Sequence, residues 1–541
     1  MTRMTKRLYS STLPLAVLAA AWVGTAAQAE ERRSEITPYI EAAQVVTAEL
    51  SPGSDTLTYS RVAAGVDARV IGRNTQGALS LRYERHIGWQ DNASDGDVIS
   101  GIGRASVAVV PRTLSMEVGG LAARTRLERN GGGSLNPFED NDEVSNVYSV
   151  FAGPSLTTAV GDVAVNANYR LGYSRVESLN SVLLTAGGDP VDVFDDSTTH
   201  DANVHLATRP GDVLPVGLGI GAGWRREDIS NLDQRIDDKH VRADVTVPLS
   251  PTLAVVGGVG YEKVRISSRD VLFDGGGAPV IGDDGRYVTD KSEPRKIAYD
   301  VDGVIWDVGV VWRPSERTSA EAHFGRRYGS TSFYGSFAWQ ASRRSSLNIA
   351  VYDNVASLGG RLFSTLEGLP SDFSVLRNPL TGELNGCVGS LEDGSCVSGA
   401  FGSVRAAAFR GRGIMATYGL DLGRMQAGIG AGYDRRKFIT AEDTILASLD
   451  GKADENIWLN AYLNGELGPR GSFTTSLYAS WFDSGLEVDG SSTAFGATAA
   501  YHHLLSDHLS ASAAVGIDGI DRKVLDDVWN LSGMVGMRYS F

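Results

Sequence analysis

Cysteine is nearly missing from this 541-residue chain, which has only two, Cys387 and Cys396. A disulfide-built scaffold and a cysteine-rich metal site are thereby excluded. Proline is sparse at 17 residues, and no Pro/Ser linker or break in composition divides the length into several soluble domains. The eight histidines, at 86, 200, 205, 240, 323, 502, 503 and 508, are scattered, and their spacing assembles no nucleophile, base and orienting group. No catalytic, cofactor or metal site is therefore expected, and no enzyme. Basic residues number 50 against 65 acidic ones, the wrong balance for gripping nucleic-acid phosphates. Long apolar runs are missing too: Leu13 to Val23 falls short of the roughly 20 residues a spanning helix needs.

That short run has a different meaning. Arg3, Lys6 and Arg7 precede it and Ala27-Gln28-Ala29 follows, the pattern of a secretory leader (1–29) cleaved after Ala29. Residues 30–35 then form a short periplasmic segment. A mature chain embedded in a membrane must cross it as strands, because only helices and closed barrels satisfy every backbone group in lipid.

What is present fits that requirement. Glycine is abundant (64 residues) and the mean hydropathy is -0.11, as expected where apolar and polar residues alternate. Val163, Val165, Ala167, Tyr169, Leu171 and Tyr173 share one face, with Asn166, Asn168, Arg170 and Ser174 on the other. Ile457, Leu459, Ala461 and Leu463 alternate with Asn456, Asn460 and Asn464. The final strand puts Leu531, Val535, Met537, Tyr539 and Phe541 opposite Asn530, Ser532, Arg538 and Ser540. Such segments are longer than sandwich strands of about five or six residues. Connections alternate between tight turns, such as Gly468-Pro-Arg-Gly471, and long acidic loops, as short periplasmic turns and long outer loops do in outer-membrane barrels. The expected fold is all-β, a single antiparallel up-and-down transmembrane barrel over 36–541 with about 22 strands (20 or 24 as neighbouring counts). Both termini are expected in the periplasm. Because alternation begins at Ile36, the barrel is expected to have no N-terminal plug domain. That argues against an energised TonB-dependent receptor, whose 22-stranded barrel is plugged. One crossing, Arg327-Tyr-Gly-Ser-Thr331, is short where a long loop is due.

Several stretches carry a resemblance: 36–46, 62–68, Gly119 to Arg126 and Gly325 to Gly329. On these the chain resembles a family of large proteobacterial outer-membrane barrels of poorly known role. It is loosely similar to barrels associated with PEP-CTERM/exosortase systems. The resemblance implies fold and an outer-membrane location in a Gram-negative cell, and no substrate. Gly536, Tyr539 and Phe541 resemble the assembly signal of such barrels, departing from it at Met534. Lipid, lipopolysaccharide and the barrel-assembly machinery are the partners implied.

The polar phase nominates Arg61, Arg69, Arg82, Glu84, Glu117, Arg170, Glu321, Arg327, Glu466 and Arg538 as lining the pore. They either set a transverse field that orients a solute or simply fill a wet interior with paired charges. Loop 355–410 is the longest interruption, with Leu358, Leu362, Leu366 and Leu369 at helical spacing and the Cys387/Cys396 pair, a disulfide in an exported protein. It either folds inward to narrow the pore or caps the barrel outside. Acidic clusters (Asp91, Asp95 and Asp97; Glu139 to Glu143; Asp454 and Glu455) lack calcium-loop spacing and read as solvated surface. Gly217, Gly219, Gly221 and Gly223, and likewise Gly428, Gly430 and Gly432, share a face, which allows either backbone curvature or close packing against something in the lumen. The expected function is a channel for polar solutes or for export of a surface polymer. The alternative is a non-conducting structural or adhesion barrel.

Overall fold

In the computed structural model, one closed antiparallel sheet of 22 strands forms the wall. The structure describes residues 33–541 except 90–94, 127–143, 179–192, 372, 390–394, 397–402, 404, 487–489 and 524–525. The leader, its cleavage after Ala29, Asp91 and the 139–143 acids lie outside the described residues.

The first fifteen strands are β1 (Arg33–Ser51), β2 (Thr56–Ile71), β3 (Thr75–Gly88), β4 (Gly96–Val110), β5 (Leu114–Arg126), β6 (Val144–Val160), β7 (Val163–Ser178), β8 (Asp196–Thr208), β9 (Gly217–Ile229), β10 (Gln234–Ser250), β11 (Leu253–Ser268), β12 (Lys296–Ser315), β13 (Thr318–Arg327), β14 (Ser330–Ser342) and β15 (Ser345–Ala356). The chain then leaves the wall for helix α1 (Leu358–Glu367) and a small sheet of β16 (Ser374–Arg377), β17 (Leu384–Gly389) and β18 (Ser395–Cys396). It returns as β19 (Phe409–Asp421), β20 (Met425–Phe438), β21 (Ala453–Glu466), β22 (Gly471–Asp483), β23 (Ser491–Leu504), β24 (Leu509–Arg522) and β25 (Val528–Ser540). Each wall strand pairs with its neighbours in the chain, β15 pairs with β19, and β25 closes on β1 from Tyr39↔Ser540 to Ser51↔Trp529. The ring is closed, so no wall strand has a free edge where neighbouring strands overlap.

Side-chain phase separates the two faces. On β12, Val304, Trp306, Val308, Val310 and Trp312 point outward and stay exposed, as lipid contact requires. That apolar run covers about nine residues, the span of a tilted strand through hydrocarbon. Beyond it the outward phase becomes charged. Asp300 pairs with Arg265 at 2.8 Å and Asp302 with Lys263 at 3.4 Å, so the strands rise out of the apolar band at their loop end. The short crossing between β13 and β14 is a genuine tight hairpin: Tyr328 and Gly329 take φ of 53° and 66°, the left-handed pair a two-residue turn needs.

Two expectations need correction here. Asp454 is not solvated loop surface; it opens β21, is 2% exposed and meets Arg405 at 3.3 Å. The histidines are not all scattered either, because the sheet brings two of them, His205 and His323, into one charged chain, as described below. Chain spacing could not show this, since neighbouring strands are offset in register.

Candidate functional site

The described residues of the segment 357–408 lie inside the barrel. Every wall residue that grips it belongs to the lumen phase of its strand, and those strands run round most of the ring. The local sequence explains why a helix leads it. Ser357 caps α1, its hydroxyl accepting from Gly359 N at 3.0 Å. Leu358, Leu362 and Leu366 recur every four residues and are buried with Phe363. The Phe363 ring meets Phe151 edge-on at 5.9 Å. It also lies over Gly172 of β7, where a Cβ would overlap the ring.

Charged groups then hold the segment from several sides. The Glu227 carboxylate, 1% exposed, accepts from Gly360 N at 2.8 Å, Ser357 N at 3.2 Å and the Ser357 hydroxyl, so a wall residue caps the positive end of α1. Arg225 donates to Gly360 O at 2.8 Å and Ser364 Oγ at 3.0 Å. Across the lumen, Arg361 reaches Asp434 at 3.1 Å. At the far end of α1, Arg104 donates to the Glu367 and Leu369 carbonyls, and Arg170 pairs with both Glu367 and Glu117. Further along, Arg61 donates to Leu380 O at 2.6 Å and Pro379 O at 2.9 Å. Arg377 donates to Ser100 Oγ at 2.7 Å, and Arg436 to Ser403 O at 3.0 Å.

Arg61, Arg82 and Glu84 thus meet in one cluster, with Glu41 3.0 Å from Arg61 and 2.9 Å from Arg82. Glu117 and Arg170 meet in a second cluster. Arg327 joins Asp238 at 3.0 Å, and Arg538 joins Asp67 at 3.0 Å. Arg69 lies in the lumen phase of β2, and Glu466 closes β21 beside a turn. Glu41 was missed because its nearest neighbours in the lumen phase of β1, Tyr39, Ala43 and Val45, are apolar. Arg225 and Glu227 were detectable: they continue the Gly217–Gly223 alternation by two and four residues.

Cys387 and Cys396 are direct partners in the β17–β18 register. At the closing seam, Gly536 faces Ala43, and the rings of Tyr539 and Phe541 meet edge-on at 5.1 Å on the outside.

A second constellation lies on the wall of β8–β14. His205 meets Asp244 at 3.2 Å, and Arg242 lies 3.2 Å from Asp244 and 2.8 Å from Asp307. His323 bridges Asp307 and Glu321 at 2.8 Å each, with the Tyr334 ring stacked on it at 4.6 Å. This continuous chain of paired charges draws on four strands, β8, β10, β12 and β13.

No protein-family model and no curated protein matches the chain. Among solved structures, the chain is similar to the FrpB iron transporter of Neisseria meningitidis (TM-score 0.45, 10% identity, covering 93% of this chain and 81% of that one). It is likewise similar to the ferric-catecholate import receptor Fiu of E. coli K12 (TM-score 0.45, 9% identity, 93% and 81%) and to FpvA of P. aeruginosa (TM-score 0.41, 12% identity, 94% and 72%). These neighbours are TonB-dependent receptors, which have a plug domain. The expectation of a barrel without an N-terminal plug is withdrawn, while the expected 22 strands are the number found in this wall. The physical reason is that alternation beginning at Ile36 marks where the wall starts and carries no signal about what fills the lumen. The architecture is that of an outer-membrane β-barrel.

Proposed function

We propose that this protein is a gated outer-membrane channel for polar solutes or an exported surface polymer, held shut by its own 357–408 insert. The observation that carries the reading is the clamp: lumen-phase residues on opposite sides of the ring, Glu227 and Asp434 among them, are bound to one short helix. A 22-stranded barrel has a lumen wide enough to breach the membrane barrier unless it is filled. The insert is held both by these polar clamps and by an apolar cluster in which Leu358, Leu362, Phe363 and Leu366 pack with wall residues such as Ile102, Val147 and Phe151, so opening must break both. The reading is of a transporter and not of a catalyst.

Both termini are assigned to the periplasm, with the insert entering from the outer end. The Cys387–Cys396 pairing is assigned as a disulfide. Residues directly opposed in an antiparallel pair have Cα atoms about 4.5–5.5 Å apart, within disulfide range. The deciding experiment is conductance in planar bilayers. The wild type is expected to be closed for most of the time, and a variant with 358–407 replaced by a short Gly/Ser turn to conduct steadily. Equal silence of both forms, each folded by a heat-dependent gel shift, would favour the non-conducting adhesion barrel instead.

A further inference from the structure

The lumen wall has a second character that the clamp does not use. Across β20–β23, no Asp, Glu, Lys or Arg occupies the lumen phase between Asn456 and Asn464 on β21, or between Phe482 and Thr474 on the facing β22. Aromatic rings stand there instead, and each has a glycine beneath it. Tyr462 lies opposite Gly428, Trp458 opposite Gly432 and Tyr478 opposite Gly496. A Cβ on any of these glycines would overlap the facing ring. The rings therefore lie flat along the wall instead of standing into the lumen, which accounts for the even-spaced glycines of β20.

Amides and hydroxyls fill the gaps. Asn460 and Asn464 flank Tyr462 on its strand, and Ser476 faces it from β22. Asn456, next in phase above Trp458, is 5% exposed, and its Oδ1 has no hydrogen-bond partner among the described residues. Tyr462, Tyr478 and Asn464 are only half-buried, so the face is open to a visitor. The wall of β10–β13, with Arg242, Asp244, Asp307 and Glu321, has none of this neutrality.

From this we infer that the β20–β23 lumen face is a binding surface for an uncharged, polyhydroxylated solute of the carbohydrate class. A pyranose ring offers a flat C–H face, which matches a ring lying flush on the wall, and a rim of hydroxyls, which matches amide and hydroxyl neighbours. A charged solute would lose hydration against this face and find no counter-charge in return. The inference deepens the channel reading by naming a solute class, and as a binding site it is measured without reference to gating.

The test is calorimetric titration of the full chain in detergent, as wild type and as the insert-replaced variant. The probes are neutral hexasaccharides (α-1,4-glucan, β-1,4-glucan and β-1,4-mannan), with an acidic hexagalacturonate for comparison. At least one neutral probe is expected to bind, and to bind more tightly than the acidic one. Tyr462→Ala and Tyr478→Ala should each weaken it about three- to ten-fold, the value of one aromatic contact. Tyr462→Phe, which keeps the ring, should retain binding, as should Leu463→Ala on the lipid face of the same strand. The inference is overturned if neither form binds any neutral probe, if the acidic probe binds as tightly, or if both alanine variants bind like wild type. Failure of the gate reading appears separately, in conductance.

Discussion

Replacing Glu227 by alanine is the sharpest perturbation of the gate. Its carboxylate is buried, and all three of its described donors, Ser357 N, the Ser357 hydroxyl and Gly360 N, belong to the insert. Nearly all the lost energy therefore falls on docking of the insert and little on the barrel, whose ladder through β9 is untouched. Each buried donor left without an acceptor costs about 1–3 kcal/mol, and with three donors the loss is about 3–5 kcal/mol. At about 1.4 kcal/mol per power of ten, the closed state should lose between about two and three and a half decades against the open one. Glu227→Gln keeps one acceptor oxygen and should lose roughly one decade, since a neutral acceptor forms hydrogen bonds about half as strong. The assay is single-channel open probability in planar bilayers, with the gel shift as a check that the barrel is intact. If Glu227→Ala stays within about three-fold of wild type, the insert is not held by this cap and the clamp argument fails.

Further expectations concern packing and the membrane. Phe363→Ala should destabilise insert docking by about 3–5 kcal/mol, because its ring fills the space over Gly172 and against Phe151; this is seen as raised liposome swelling with an unchanged barrel. Gly172→Ala should open the channel through overlap with the same ring, and the double variant with Phe363→Ala should leak no more than either single one. Val308→Arg, in the middle of the outward apolar run of β12, should cost about 2–4 kcal/mol of stability in bilayers, whereas Val301→Arg, on the lumen phase beyond that run, should cost no lipid term. Equal losses at the two sites in urea unfolding would refute the assignment of faces.

The wall was legible because its signal is local. Strand phase depends only on residues two apart, so the outward rows and the seam from β25 to β1 could be read directly, and the strand count followed. The helix in the insert was legible for the same reason, from the four-residue spacing of Leu358, Leu362 and Leu366. Its location was not, because the groups that draw it inward, such as Glu227 and Asp434, are far away in sequence and have ordinary side chains. Arg61 and Arg82 were correctly nominated as lumen-phase residues, yet they are bound into a cluster with Glu41 and the insert's carbonyls instead of lining open water. His205 and His323 looked unrelated because the residues connecting them, Arg242 and Asp307, sit on intervening strands whose register no local pattern encodes.

The charge carried by the insert yields one more consequence. Between 358 and 407 it holds three cations, Arg361, Arg377 and Arg405, and five anions, Glu367, Asp372, Glu383, Glu392 and Asp393. Removing it strips more negative than positive charge from the lumen and leaves wall arginines such as Arg61, Arg104 and Arg225 without the carbonyls they now bind. The opened barrel should therefore favour anions. A lumen this wide exerts its field only where screening is weak: the Debye length is about 10 Å at 0.1 M salt and about 3 Å at 1 M. The reversal potential of the insert-replaced variant in a KCl gradient should lean toward chloride near 0.1 M and approach zero selectivity near 1 M. A lean toward potassium at low salt would mean that the wall acids dominate the open lumen, and that the insert's contacts with the arginines are not what sets the field there.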